Sequence, residues 1–64
     1  MEKTFNTSHG EVTVRNAMLD VDGTTLEDGI EIKGDDIDLI EVYGYYDVEE
    51  LTDDDVEKLI EKNN

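Results

Sequence analysis

Glu11-Val12-Thr13-Val14-Arg15-Asn16-Ala17-Met18-Leu19-Asp20-Val21-Asp22-Gly23 is the stretch that decides the architecture of this chain. Val12 and Val14 share one parity, the pattern of a strand that buries one face. Ala17, Leu19 and Val21 keep the alternation with the opposite parity. A β-bulge near Asn16 is the expected device for bringing both sets to the same side. Asp22-Gly23 with Thr24-Thr25 supplies the positive-φ chemistry of a tight turn, so a hairpin is expected to close there.

Before this strand, Phe5 stands among polar neighbours and Asn6-Thr7-Ser8-His9-Gly10 gathers turn formers, which places a first hairpin. After it, Ile30 and Ile32 alternate with Glu31 and Lys33 as a short half-buried strand that Gly34-Asp35-Asp36 ends. Ile37-Asp38-Leu39-Ile40-Glu41-Val42-Tyr43 is rich in β-formers and is expected to pair back as the fourth strand. Gly44-Tyr45-Tyr46 extends it, with Gly44 marking a bulge or a close backbone approach.

One helix is expected near the end of the chain. The Thr52 hydroxyl can cap the amides near Asp55, while Asp53, Asp54 and Asp55 sit at the positive end of the helix dipole. Leu51 and Val56 hold the two positions of a hydrophobic staple. Val56, Leu59 and Ile60 fall on one stripe, Lys58 and Lys62 suit the C-terminal end, and Asn63-Asn64 are expected to fray. The expected fold is therefore α+β, a four-stranded antiparallel sheet followed by one C-terminal helix, in a single domain over residues 1–64.

The 64 residues of 7.3 kDa leave no room for a two-domain enzyme. Five Lys and Arg face nineteen Asp and Glu, a net charge of −14, and this repels the phosphate backbone of nucleic acid. Basic proteins and metal ions are the first partners such a chain selects. The absence of Cys excludes disulfides, a thiolate zinc site and a cysteine nucleophile. A core this thin gains from self-association through sheet or helix, so a homo-oligomer is expected. No stretch has the apolar length of a membrane span, and Met1-Glu2-Lys3-Thr4 lacks signal-peptide order; the expected location is cytoplasmic, with no membrane partner.

Leu19-Asp20-Val21-Asp22-Gly23-Thr24-Thr25-Leu26 is similar to the first motif of haloacid-dehalogenase-type phosphatases, but the longer α/β scaffold that family needs cannot fit in this chain. Asp20 and Asp22 remain candidates on their own account. Two carboxylates two apart on a strand point the same way, and hard oxygens suit magnesium, manganese or calcium, so Asp20 and Asp22 are the candidate metal ligands. His9 reads as a turn histidine with no acid spaced to partner it. Tyr43, Tyr45 and Tyr46 either complete the core or form an interface. Asp35, Asp36, Asp38 and Glu41 form one acidic group; Asp53, Asp54 and Asp55, with Asp47, Glu49 and Glu50, form another. Such arrays either keep a small protein soluble or imitate phosphate spacing before a basic groove.

In size, charge and expected topology the whole chain resembles small acidic anti-CRISPR proteins and other mobile-element inhibitors of bacterial immunity. Within that group its strand order is similar to members built on the fold of single-strand-DNA-binding coactivators. That resemblance implies homo-oligomers, nicking of supercoiled DNA, and an acid on the second strand as the functional residue, which here is Asp20 or Asp22. With only Lys3, Arg15, Lys33, Lys58 and Lys62 as cations, the grip on DNA that it implies has few residues to rest on. Three readings stay open: an inhibitor that binds a basic nucleic-acid-binding protein or a CRISPR nuclease, a magnesium- or manganese-dependent DNA nickase, and a non-catalytic structural or toxin-neutralising protein.

Overall fold

Five elements follow one another along the chain: β1 (Glu2–Thr7), β2 (Gly10–Asp20), β3 (Leu26–Gly34), β4 (Ile40–Tyr43) and α1 (Asp53–Asn63). The structure is a computed structural model that describes residues 1–63, so the fraying expected of Asn64 lies outside the described residues. Asn63 belongs to α1, where its Nδ2 donates to Leu59 O at 2.8 Å and satisfies one of the terminal carbonyls.

The strands form one antiparallel meander in the order β1-β2-β3-β4, as the sequence leads one to expect. Short connections make this the natural arrangement for successive hairpins. Ser8 and His9 make the first turn between the paired Thr7 and Gly10, and the Thr7 hydroxyl accepts from the His9 amide at 3.0 Å. The fourth strand is shorter than expected. It begins at Ile40, opposite Ile32, so residues 35–39 form a loop in which Ile37 packs against the core and Leu39 is exposed.

The expected bulge at Asn16 is absent. Pairing between β2 and β3 keeps a single register from Val12↔Gly34 to Asp20↔Leu26. Val12 and Val14 therefore share one face with Ile30, Ile32, Ile40, Val42 and Phe5, whereas Ala17 and Leu19 lie on the other. Leu19 is nonetheless only 2% exposed, because it fills the space above Gly29, where a Cβ would collide with Leu19 Cδ1 and lie 2.7 Å from Val42 O. A glycine there gives an outward-facing leucine a socket.

Helix α1 starts as its sequence implies. Asp55 N donates to Thr52 Oγ1 at 3.1 Å and Thr52 N donates to Asp55 Oδ2 at 3.0 Å, a reciprocal capping box with Asp in the third position. Val56 and Ile60 are buried, and Leu51 and Leu59 pack at the margin of the same cluster. Each such buried aliphatic side chain contributes about 1.5–3 kcal/mol relative to exposure.

Between β4 and α1 the chain crosses the inner face of the sheet. Gly44 N donates to Asp28 O of β3 at 2.9 Å, Tyr46 O accepts from Asn16 Nδ2 of β2 at 3.0 Å, and Glu49 O accepts from Lys3 Nζ of β1 at 3.5 Å. This strap, with buried Val48, separates the helix-covered core from the far end of the β2–β3 hairpin. Gly44, at φ 122°, starts the strap instead of extending β4.

Candidate functional site

Asp20 and Asp22 occupy different settings. Asp20 closes β2, whereas Asp22 lies beyond the strand in the 21–25 loop, so the two are not neighbours on one strand. Asp22 Oδ1 accepts from Thr24 N at 3.0 Å, Thr25 N at 2.9 Å and Thr24 Oγ1 at 3.0 Å. The backbone bonds from Thr24 and Thr25, followed by the Thr24 hydroxyl, hold the Asp22 carboxyl below its ordinary value. Asp20 Oδ1 accepts from Gly23 N, and Gly23 takes φ 90°, the left-handed geometry its type permits without strain. Both carboxylates are thus turn builders. Among the described residues, no group of three or more His, Cys, Asp or Glu is placed to hold a metal ion.

Glu57, which the sequence reading passed over, is placed at the first turn. Its carboxylate accepts from Ser8 N at 2.7 Å and from the Ser8 hydroxyl, and His9 Nε2 stands 3.8 Å away. The Ser8 hydroxyl bond first, the Ser8 amide next and then His9 keep the Glu57 carboxyl below its ordinary value. One helical turn earlier, Asp53 Oδ1 accepts from Asn6 N at 3.2 Å. Four helical residues advance about 6 Å, so Asp53 and Glu57 reach the Asn6 amide near the end of β1 and the Ser8 amide in the turn just beyond it. The signal in the sequence is the pair Asp53 and Glu57 beside the apolar stripe.

Ser8, His9 and Glu57 converge without forming a nucleophilic relay. The Ser8 hydroxyl donates to Glu57 and not to His9, so no imidazole is positioned to take its proton. His9 instead shares a depression of about 300 Å³ with Asp35, Asp36, Ile37 and Asp38. The 35–38 loop and the helix acid Glu57 therefore meet around one turn, which the sequence separates by some twenty positions.

The remaining acids divide by role. Asp54 pairs with Lys58 at 3.1 Å and Asp55 completes the helix cap. On the outer sheet face Glu2, Arg15, Glu31 and Glu41 stand in one row across all four strands, with Arg15 Nε donating to Glu31 Oε1 at 2.7 Å. Asp35, Asp36, Asp38 and Glu41 make no hydrogen bond or ion pair to side chains among the described residues. No charged or polar side chain among them is buried.

The three tyrosines do not form one patch. Tyr43 is on the outer face, its hydroxyl donating to Asp20 O at 2.8 Å; Tyr45 is 81% exposed; Tyr46 packs on the core. Among the described residues, no helix is long and apolar enough to cross a membrane. Comparison of the chain with family models, curated proteins and solved structures found no match.

Proposed function

We propose that this protein is a binding inhibitor whose surface carboxylates occupy the basic groove of a nucleic-acid-handling protein of bacterial immunity, the activity implied by its anti-CRISPR resemblance. The observation that carries the proposal is the convergence of Asp35, Asp36 and Asp38 with Glu57 around the His9 turn, on a chain of net charge −14 whose described charges all lie at the surface. Asp35, Asp36 and Asp38, which have no internal partner among the described residues, keep their full field for a cationic surface.

Cleavage of target DNA by a panel of guide-loaded CRISPR nucleases, with increasing amounts of this protein, tests the reading. Inhibition should compete with nucleic acid and weaken steeply between about 50 mM and 200 mM salt. The triple variant Asp35→Asn, Asp36→Asn, Asp38→Asn should lose most of it. Inhibition that ignores salt and the triple substitution, or no inhibition across the panel at low salt, would count against the proposal.

A further inference from the structure

The strap and the far end of the β2–β3 hairpin enclose an open groove of about 410 Å³ on the inner side of the sheet. Its floor carries Met18 and Asp28, directly paired across β2 and β3, and its wall carries Tyr45, Tyr46 and Asp47. The composition of the floor is what needs explaining. Ile32 and Ile30 occupy the inner positions of β3, and the next inner position is Asp28. On β2 the inner series Val12, Val14 continues as Asn16 and Met18.

Asn16 has a structural task, since it holds the strap through Tyr46 O. Asp28 has none: its backbone carbonyl receives Gly44 N, but among the described residues no donor reaches its carboxylate. Met18 is 57% exposed beside it, and Tyr45 projects into solvent on the opposite wall. A fold that needed only a sealed core would gain from apolar residues here. Among the described residues no cationic side chain lines the groove, while two carboxylates and two tyrosines do.

From this juxtaposition we infer that the groove receives an arginine side chain presented by a partner protein. A guanidinium is flat, stacks on tyrosine, lays its alkyl stem along an apolar side chain such as Met18, and donates in a fork to a carboxylate. Asp28 is the acceptor, Tyr45 the stacking wall and Asp47 a second negative charge at the rim. A second copy of this chain is disfavoured as the occupant, because two bodies of charge −14 repel. The inference stands apart from the carboxylate surface at the His9 turn, and either can fail without the other.

Amide NMR spectra recorded during titration with N-acetyl-arginine methylamide test it, with the lysine analogue and the citrulline analogue, which keeps the shape of arginine without its charge, alongside. Arginine should give saturable shifts at Ala17, Met18, Gly29, Gly44 and Tyr45, lysine weaker ones and citrulline none. Asp28→Asn should weaken arginine binding about tenfold or more, the usual scale for losing a charged hydrogen bond. Tyr45→Ala should weaken it as well, whereas Glu41→Gln, which removes the same charge from the outer face, should leave it unchanged. Undisturbed amide dispersion in each variant confirms that it folds. Equal shifts from citrulline, shifts of equal size at Asp35 to Asp38, or an unchanged affinity in Asp28→Asn would overturn the inference.

Discussion

The Tyr43 hydroxyl reaches from β4 to the Asp20 carbonyl at the end of β2, at 2.8 Å, passing over the strand between them at Gly29. The pairings Gly29↔Tyr43 and Ala17↔Gly29 put Ala17, Gly29 and Tyr43 in one row on the outer face. Leu19 sits in the same notch. A glycine in the middle strand thus lets two side chains close the outer face where no helix covers it.

Gly29→Ala should therefore destabilise the protein. Leu19 can shift its side chain, but Val42 O belongs to the backbone and lies 2.7 Å from the new Cβ. Overpacking of this kind costs about 1–3 kcal/mol, which urea unfolding would register as a lower midpoint. Tyr43→Phe, which removes one hydrogen bond and keeps the ring, should cost about 0.5–1.5 kcal/mol at most. A stable Gly29→Ala variant would show that the notch is not needed.

Thr52→Ala removes one half of the capping box, and the expected loss is about 1 kcal/mol. In a domain of this size that lowers the melting temperature by roughly 4–8 °C. Asp54→Asn should change it far less, because the Asp54–Lys58 pair is largely exposed and screened by solvent.

Asp53 shields an outward amide of β1, an edge strand, and Glu57 shields the Ser8 amide in the turn that follows it. Glu57→Ala should speed hydrogen exchange at the Ser8 amide and leave the Val14 amide unchanged. Asp53→Ala should do the same at Asn6. If exchange at Ser8 and Asn6 stays slow in both variants, the helix acids are not what protects the edge.

Asp22 and Glu57 have carboxyl values lowered by folding, so their stabilisation is complete above the ordinary carboxylate range and disappears as pH falls through their lowered values. Relief of repulsion among nineteen acids acts in the opposite sense. The difference between the protein and its Asp22→Asn, Glu57→Gln variant reads the first effect, offset by the repulsion that loss of two charges relieves. That difference should be largest at neutral pH and shrink toward pH 3, read from urea midpoints across the range.

At neutral pH the same repulsion makes added salt stabilising. The melting temperature should rise as sodium chloride shortens the Debye length from about 30 Å at 0.01 M to about 10 Å at 0.1 M. A flat or falling profile would mean that the surface charges are already balanced by local pairs.

The helix was legible in the sequence because its determinants are local: Thr52 as cap, Leu51 and Val56 as staple, and a stripe of one period. The four-stranded order was legible too, from alternation and turn residues. The bulge at Asn16 was a misreading with a definite cause. It assumed that all apolar residues of one strand face one core, whereas Leu19 is buried on the other side by Gly29, ten positions away. Residues 37 to 39 alternate like a strand, yet the opposition of Ile32 and Ile40 leaves them in a loop. Of the candidate residues, the two acids of the Asp-Gly turn were visible, but that they would bind Thr24, Thr25 and Gly23 amides depended on the loop's path. The contact between Glu57 and Ser8 spans 49 positions, and no local pattern carries it.

Because the first strand and the turn after it are stitched directly to α1, at Asn6 to Asp53 and Ser8 to Glu57, neither β1 nor α1 should detach as an independent foldon. Release of the helix bares the inner core and unclasps the opening hairpin in the same event. Unfolding should accordingly be all-or-none, with calorimetric and van't Hoff enthalpies in agreement despite the modest size of the core.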